Sequence, residues 1–319
     1  MDNNLKFSII IPTYNEEADI ARTLDSLIAL DYDNKEIIIV DDSTDNTPSI
    51  VRGYKDNGVS LIKPEVRKGR CEARNIGVKA SVGDVIIILN ADVLLPSDFI
   101  SKIKIHYDNG LDAVGVMNLV ENLDSVYSRY VGMHNHRKEE KGVFEERKEK
   151  LNDLWWTEGF SVKRNFLMKT SLFPSGYIVP IVAGEDVRFV DELRKLGCKG
   201  VFDKGILIKH VAPSTFKEYW QIRKGRGAGT PQIRLFIDGW SKGKLFTVLL
   251  LKSGIRFAKF ITLYPMIKYA LELSKFSTKN RFLETIKMAY CWAIEQTAFT
   301  VGEFQSLFNI LKKEKELKK

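Results

Sequence analysis

Three short β-branched runs, each followed at once by a cluster of polar residues, constrain the fold of this chain more than any other feature. The runs extend from Phe7 to Ile11, from Glu36 to Val40 and from Val85 to Leu89. Continuous apolar runs of this length are typical of parallel strands that are buried on both faces. Between the first two runs, apolar residues recur at helical spacing from Ile20 to Ile28. The pattern predicts an α/β fold with a doubly wound, mostly parallel sheet flanked by helices.

Further segments continue this alternation of strands and helices. A helix is expected to open at Thr47-Pro48, because proline is favoured in a first helical turn. A strand near Val59 to Ile62 and a helix from about Glu72 to Ala80 are expected next. Farther along, a helix that begins near Glu185 is expected to stop at Gly197, since glycine commonly ends helices.

The polar clusters that follow the three runs stand where an α/β sheet binds its ligands. In such sheets, ligands collect at the carboxyl ends of the strands. The clusters are Pro12-Thr13-Tyr14-Asn15-Glu16, Asp41-Asp42-Ser43-Thr44-Asp45 and Asn90-Ala91-Asp92. One such cluster is equally consistent with a turn or a helix cap, for which Asp is a common choice. Three clusters on one sheet edge predict a ligand site.

The side chains in these clusters suit a nucleotide diphosphate. An aromatic ring such as Tyr14 can pack on a nucleobase, and Asp42 can accept hydrogen bonds from a base N–H. Asp92 can ligate a divalent ion that is held between diphosphate oxygens. We therefore expect the metal and the diphosphate to bind at Asn90-Ala91-Asp92.

A basic turn, Arg67-Lys68-Gly69-Arg70, precedes Arg74 on the next expected helix. Cationic side chains and backbone N–H groups of such a segment can neutralise the phosphates of a donor. Lys68 and Arg74 are therefore candidates for phosphate binding. The alternative, in which each of these residues belongs to a solvated helix face, stays open.

In order and spacing, these segments resemble the family 2 glycosyltransferases, which have the nucleotide-diphospho-sugar transferase (GT-A) fold. The resemblance covers about residues 7 to 230. It rests on the segments Ser8 to Glu16, Val40 to Thr47, Lys68 to Asn75, Gly83 to Asp92 and Gly184 to Asp186. It implies an enzyme that takes a sugar from a nucleotide-diphosphate sugar donor and uses Mn²⁺ or Mg²⁺ as its cofactor.

The resemblance also implies roles for individual residues, with the nucleoside held at the first two clusters and the metal at Asp92. The candidate contacts of the nucleotide sugar are Pro12, Tyr14, Glu16, Asp42, Lys68, Arg74, Asn90, Ala91 and Asp92. The metal-binding triplet of the family begins with Asp, whereas this chain has Asn90, which offers at best a neutral oxygen. We therefore expect Asp92 to be the main protein ligand and Asn90 to be a weak or indirect partner.

By the same resemblance, Asp186 is the catalytic base. Direct displacement at the anomeric carbon inverts the configuration and needs a carboxylate that takes the proton of the acceptor hydroxyl. Asp186 follows a flexible Ala183-Gly184 turn and opens a helix, where the helix dipole stabilises an anion. Glu185 can orient the acceptor or tune the pKa of its neighbour. From spacing alone, Glu185 and Asp186 could equally be caps of that helix.

Some further candidates carry less specific signals. His210 ends an expected strand and could complete the ligand set of the metal, although a lone histidine is commonly structural. Trp155 and Trp156 could form a stacking face for an acceptor sugar or lipid, or could belong to the core.

Processive members of the family carry a Gln-Xaa-Xaa-Arg-Trp motif after the base. The segment Gln221-Ile222-Arg223-Lys224-Gly225 keeps the glutamine and a cation but lacks the tryptophan. This departure predicts the transfer of one sugar and not polymerisation. The glycines after Arg223, up to Gly229, predict a mobile basic loop that closes over the donor phosphates.

Charge is distributed unevenly along the chain. Residues 209 to 319 hold 21 Lys and Arg against 8 Asp and Glu, a net charge of +13, whereas the whole chain carries +8. A basic segment of this kind favours contact with an anionic surface, either nucleic acid or a membrane leaflet. Together with the resemblance, this charge predicts peripheral association with a membrane and no nucleic-acid partner.

Two amphipathic helices are expected in this basic segment, over about residues 245 to 273 and 281 to 311. Lys252 and Lys259 interrupt the first, so it lacks the run of about 20 apolar residues that a spanning helix needs. The helices either pack on the catalytic domain or lie in the membrane interface with their cations on lipid headgroups. We predict a catalytic domain over residues 1–235 and a basic amphipathic helical extension over residues 236–319.

Cysteine usage and the amino terminus predict a cytoplasmic protein, at the inner face of the cell membrane. Cys71, Cys198 and Cys291 are too scattered for a disulfide framework or a zinc site, and Met1 to Lys6 lacks the apolar region of a signal peptide. The leading hypothesis is an inverting glycosyltransferase that moves one sugar to a hydroxyl of a lipid-linked or cell-surface glycan acceptor. The alternatives are a polyprenyl-phosphate sugar synthase and a non-catalytic nucleotide-sugar or nucleic-acid binding protein.

Overall fold

The three β-branched runs form neighbouring parallel strands, as predicted. In the computed structural model, which describes residues 4–66, 69–140 and 158–318, the runs are β1 (Phe7–Thr13), β2 (Lys35–Asp41) and β4 (Val85–Ile88). A further strand, β3 (Val59–Ile62), pairs with β2. The order β3-β2-β1-β4 is parallel throughout. Because β1 and β4 are buried on both faces, neither shows the alternation of a half-exposed strand.

The later strands make the sheet mixed. They are β5 (Val93–Leu94), β6 (Ala113–Val120), β7 (Phe160–Lys163) and β8 (Gly200–His210), and the eight strands follow the order β3-β2-β1-β4-β7-β6-β8-β5. β7 is antiparallel to both β4 and β6, and β5 is antiparallel to β8. The parallel arrangement therefore holds for the first four strands, and the second half of the sheet adds the antiparallel pairs.

The sheet and its flanking helices form one of two compact units. This first unit comprises the described residues within Met1–Leu119, Phe144–Ser175 and Glu185–His210. Its helices are α1 (Ile20–Ile28), α2 (Thr47–Arg52), α3 (Arg70–Ala80), α4 (Phe99–Asp108), α6 (Arg164–Leu167) and α7 (Glu185–Lys195). Helix α1 buries Ile20, Leu24 and Leu27 in the core of this unit, as their spacing predicts.

The second unit is helical, and it comprises the described residues within Val120–Val143, Gly176–Gly184 and Val211–Lys319. Its helices are α5 (Val126–Glu140), α8 (Phe216–Gln232), α9 (Lys242–Thr262), α10 (Tyr264–Ser274) and α11 (Arg281–Leu317). None of its described helices, nor any in the first unit, is both long and apolar enough to cross a membrane. The domain boundary expected after residue 235 stays a prediction, and the helical unit includes α5 and α8 as well as the helices that follow.

The segment expected to be a mobile basic loop is part of helix α8, so this expectation was wrong. Gly227 and Gly229 of this segment are needed for close packing, whereas a Cβ on Gly225 would meet nothing within 4 Å. A Cβ atom on Gly227 would lie 2.0 Å from the carbonyl oxygen of Phe299 in α11, and one on Gly302 of α11 would lie 2.0 Å from that of Lys224. The two helices are in direct backbone contact, for which a larger residue leaves no room.

This contact predicts that two glycines of α8 respond oppositely to alanine. Gly227→Ala should lower the free energy of unfolding by about 2 kcal/mol or more, because α8 and α11 must separate to admit a methyl group. Gly225→Ala is the matched control, since a Cβ there meets nothing within 4 Å. It should raise stability by about 0.5–1 kcal/mol through better helix propensity. Urea denaturation of the two variants measures both changes, and equal effects would contradict the backbone contact.

Candidate active site

The polar clusters after β1 and β2 are joined to each other by hydrogen bonds. Asn15 adopts a left-handed conformation with φ of 57°, which asparagine tolerates better than most residues. In this conformation its N–H donates to Ser43 Oγ at 2.8 Å, and its side-chain oxygen accepts from the N–H of Thr44 at 3.0 Å. The N–H of Glu16 donates to Thr47 Oγ1 at 2.9 Å. These bonds hold the two predicted nucleoside-binding segments as one rigid edge.

Tyr14 and Asp42 lie on this edge, and Pro12 is in β1 beside them. The Tyr14 ring is exposed, as a stacking surface for a base must be. Asp42 Oδ2 accepts a 2.8 Å hydrogen bond from the N–H of Gly69, the residue before α3. Gly69 has φ of 79°, a conformation that favours glycine. Asp42 thereby fixes the start of the helix that carries Arg70 and Arg74.

Glu16 is the titratable residue of this edge with the strongest perturbation. Burial, followed by the negative charge of Asp92, raises the pKa of Glu16 to about 8. Asp92 is near Glu16 because β1 and β4 are adjacent parallel strands, whose carboxyl ends lie at the same edge of the sheet. A cation bound beside Asp92 would lower the pKa of Glu16, because it would neutralise part of this repulsion.

The turn Asn90-Ala91-Asp92 connects β4 to β5. Ala91 is buried, and its carbonyl oxygen accepts a 2.6 Å hydrogen bond from Thr23 Oγ1 of α1. Asp92 immediately precedes Val93, which is opposite His210 in the antiparallel pair of β5 and β8. This pairing brings His210 Nε2 to 3.2 Å from Asp92 Oδ2. The strand register therefore brings together the two predicted metal ligands, although they are far apart in sequence.

The donor atoms of this turn fit a divalent cation. Asp92 Oδ1 is buried and has no hydrogen-bond partner among the described residues, so it is a carboxylate oxygen that a cation would satisfy. The described parts of the chain contain no group of three or more His, Cys, Asp or Glu side chains that could hold a metal. Asp92 and His210 therefore stay predicted metal ligands.

Arg74 connects this turn to the acidic pair at the start of α7. Its side chain is fully buried, with Nη1 2.8 Å from Glu185 Oε1 and Nη2 3.1 Å from Asn90 Oδ1. The guanidinium also lies over the ring of Phe173, 5.1 Å from its centroid. Contact between Arg74 and a donor phosphate stays a prediction, because in this structure the guanidinium donates hydrogen bonds to Glu185 and Asn90. Asn90 likewise forms hydrogen bonds within the protein, and its indirect role at the metal stays a prediction.

Glu185 and Asp186 are the first residues of α7 and have opposite pKa shifts. Burial alone would raise the pKa of Glu185, but Arg70 and Arg74 hold it below its usual value. Burial, and then the charge of Glu185, raise the pKa of Asp186 to about 7. Gly184, with φ of 89°, provides the turn before the helix. The shifts thus favour the charged form of Glu185 and bring the pKa of Asp186 towards neutral pH.

Glu158 is a carboxylate of this site that the sequence patterns did not indicate. Its Oε1 accepts from Asn90 Nδ2 at 3.2 Å, and its Oε2 accepts from Asn118 Nδ2. Its position directly before Gly159 and β7 was the available signal, because β7 pairs with β4 next to the expected metal turn. Three predicted residues, Lys68, Trp155 and Trp156, lie outside the described residues.

The sequence matches the family described as Glycosyl transferase family 2 over residues 8–173. The chain belongs to this family. It is 36% identical over 93 residues to the poly-beta-1,6-N-acetyl-D-glucosamine synthase of Staphylococcus epidermidis, which covers 28% of this chain and 23% of that protein. It is 32% identical over 137 residues to the Escherichia coli UDP-Glc:alpha-D-GlcNAc-diphosphoundecaprenol beta-1,3-glucosyltransferase WfgD, covering 43% and 49%. The matched regions thus span less than half of each relative.

Solved structures show the same fold over nearly the whole chain. The mannosyltransferase PcManGT from Pyrobaculum calidifontis, in complex with GDP-Man and Mn²⁺, aligns with a TM-score of 0.60 and 20% identity, over 96% of this chain and 88% of that one. Residues 1–349 of TarS from Staphylococcus aureus, in complex with UDP-GlcNAc, align with a TM-score of 0.56 and 16% identity, over 94% and 90%. The predicted GT-A fold and family 2 membership of this glycosyltransferase are therefore confirmed.

The buried contact between Arg74 and Glu185 predicts a strong coupling energy. Arg74→Met should lower the free energy of unfolding by about 3 kcal/mol, because Glu185 would remain buried after losing its shortest ion pair. Adding Glu185→Gln should recover part of this loss, since the stranded charge is removed. Urea denaturation at pH 7 of the wild type, both single variants and the double variant measures the coupling. A coupling energy below about 0.5 kcal/mol would contradict this account.

Proposed function

We propose that this glycosyltransferase moves one sugar, with inversion, from a nucleotide-diphosphate donor to a hydroxyl of a lipid-linked or cell-surface glycan acceptor. The observation that supports it most directly is the bridge made by Arg74. One buried guanidinium contacts Asn90 of the candidate metal turn and Glu185 of the candidate base pair. The group that would activate the attacking hydroxyl and the group that would assist the leaving diphosphate are thereby linked through one side chain, which suits a displacement at the anomeric carbon between them.

On the donor side, the joined ends of β1 and β2 would hold the nucleoside. Tyr14 would stack on the base, and Pro12, Glu16 and Asp42 would line the pocket around it. Asp92 and His210 would hold a Mn²⁺ or Mg²⁺ ion, which when bound neutralises charge on the diphosphate leaving group. Arg70, which is partly exposed and lies 3.7 Å from Glu185 Oε1, is the described cation of α3 that is best placed to approach the phosphates.

On the acceptor side, Asp186 would take the proton of the attacking hydroxyl. A general base works best when its pKa is close to the working pH, and Asp186 has a pKa near 7. Glu185 stays ionised beside it, and its negative charge makes Asp186 a stronger base. Glu158, through Asn90, would maintain the shape of the metal turn.

The lipid-linked acceptor is supported by the name of one relative. The Escherichia coli enzyme acts on a sugar that is attached to diphosphoundecaprenol. Such acceptors reside in a membrane, and action at its inner face would also give a role to the net charge of +13 on residues 209 to 319. The absence of the tryptophan after Gln221 supports the transfer of a single sugar.

Donor binding should depend on Asp92 and only partly on Asn90. In a thermal-shift panel of nucleotide sugars, the fitting donor should raise the Tm of the wild type when Mn²⁺ is present, by mass action. A donor at 100 times its Kd adds about 2.7 kcal/mol. Asp92→Ala should abolish the part of the shift that EDTA removes, whereas Asn90→Ala should only reduce it. An equal rise with every donor, unaffected by metal, would contradict the site.

Transfer should depend on the ionisation of Asp186. With a hydroxyl acceptor, kcat/KM should rise with pH and level off above about 7, because only the ionised carboxyl accepts a proton. Asp186→Asn should reduce kcat by about 10²- to 10⁴-fold while donor binding persists. Asp191 is on the same helix but pairs with Lys195. Asp191→Asn should therefore change neither kcat nor donor binding.

These outcomes also separate the alternatives. A polyprenyl-phosphate sugar synthase has an acceptor that is already anionic, so it would keep its activity after Asp186→Asn and would lack the rise with pH. A non-catalytic binder would show neither transfer nor donor hydrolysis with any nucleotide sugar that it binds.

A further inference from the structure

The outer face of α9 is apolar although the helix already buries an apolar face inside the helical unit. Leu245 and Leu249 pack there with Leu307 of α11. On the outside, the apolar side chains are between 42% and 67% exposed. They are Phe246, Leu250, Leu251, Ile255, Phe257 and Ile261.

These exposed residues form a continuous stripe. Phe246, Leu250, Phe257 and Ile261 are separated by four, seven and four positions, a spacing that places them on one face of a helix. Leu251 and Ile255 lie farther round the helix, roughly 110° and 150° from the centre of this row, so the exposed apolar residues occupy about half of the circumference of the helix. Single exposed apolar residues are common on soluble proteins, whereas a contiguous apolar face marks an interaction site.

The stripe continues beyond the end of α9. Leu263 adopts a left-handed conformation with φ of 54°, and α10 starts directly after it. Tyr264, which is 67% exposed, and Ile267 extend the apolar surface, and Lys268 is exposed beside them. Tyrosine and lysine at the end of an apolar stripe are typical of helices that lie at a membrane surface.

Charge indicates which partner covers this face. Between Lys242 and Thr262 the helix has five Lys and Arg and no Asp or Glu. Lys242 and Arg256 pair with Glu314 and Glu303 of α11, and the other three cations, Lys244, Lys252 and Lys259, are exposed. A second copy of the chain would bring the same cations towards each other, so like-charge repulsion would oppose this pairing. Anionic lipid headgroups offer the opposite charge, and the acyl boundary beneath them accepts the apolar side chains.

We propose that the outer face of α9, continued by the start of α10, binds the interface of an anionic lipid bilayer. The apolar stripe would enter the region between headgroups and acyl chains, while Lys244, Lys252 and Lys259 would contact the headgroups. The proposal does not rest on the transferase reaction, because lipid binding can be measured without a donor. The net charge of residues 209 to 319 favours a membrane contact without indicating which residues make it, and the proposal assigns this contact to α9.

The test is co-sedimentation of the full chain with lipid vesicles. The wild type should bind vesicles of phosphatidylglycerol and phosphatidylcholine more tightly than vesicles of phosphatidylcholine alone, and added salt should weaken this binding. The affinity of the double variant Phe257→Glu, Ile261→Glu for anionic vesicles should be lower by at least about tenfold. Ile105→Glu is the matched control, since Ile105 is 57% exposed on α4 of the other unit. It should bind like the wild type.

Two further measurements make the result decisive. Circular dichroism melting shows whether the double variant is folded, and Lys252→Gln with Lys259→Gln replaces it if it is not. That charge variant should bind anionic vesicles more weakly and respond less to salt. Failure of the wild type to bind anionic vesicles, or equal loss with Ile105→Glu, would overturn the proposal. A third result would also overturn it: light scattering shows that the wild type is a dimer and the double variant a monomer, and the wild type binds neutral and anionic vesicles equally.

Discussion

The site of this glycosyltransferase depends on one buried cation. Arg74 has no exposed surface. Removing a guanidinium from water costs free energy unless an opposite charge and hydrogen-bond acceptors compensate for the lost hydration. Glu185 supplies the opposite charge and Asn90 a further acceptor, so the start of α7 and the turn after β4 have little freedom to move apart. Arg70, together with this contact to Arg74, holds the pKa of Glu185 low, and burial followed by the charge of Glu185 raises the pKa of Asp186. Stability of the network and tuning of the candidate base therefore have the same origin.

The strands and their ends could be predicted because the determining signals are local. A β-branched run followed by Asp or Asn marks a parallel strand and its ligand-binding end wherever it occurs. Asp42, Asn90 and Asp92 were predicted as site residues in this way, and β1, β2 and β4 were located to within a few residues. The contact between Asp92 and His210 could be predicted only in part. Histidine was a candidate by its position after a strand, but only the register of β5 on β8 brings it within 3.2 Å.

What sequence patterns missed depends on contacts between distant segments. Glu158 follows no run and opens no helix, and its relevance comes from the insertion of β7 between β4 and β6. The glycines of α8 have the composition of a loop, since glycine weakens an isolated helix. In the folded chain the backbone of α11 fills the space that side chains would need, so packing overrides propensity at Gly227. Arg74 is on a helix, as predicted, and its phosphate contact stays a prediction. Its burial is linked to Glu185, more than a hundred residues later, which no local pattern indicates.

The charge of the basic segment gains meaning from the way its acids are used. Residues 209 to 319 contain eight acids, which are Glu218, Asp238, Glu272, Glu284, Glu295, Glu303, Glu314 and Glu316. Glu218 caps α8, and each of the other seven forms an ion pair. Two of these pairs are made with Arg129 and Arg137 of α5, which lies outside the segment. The acids thus hold the helices together. Because two of them pair with cations outside residues 209 to 319, the eight acids neutralise fewer than eight cations within that segment. The remaining positive charge is therefore available to the surface, where α9 also exposes its apolar stripe. Helix α9 uses Lys242 and Arg256 in two of these pairs, whereas Lys244, Lys252 and Lys259 take part in none of them. A hydrophobic face and these three cations on one helix are the combination that an anionic membrane binds and that a second basic copy repels.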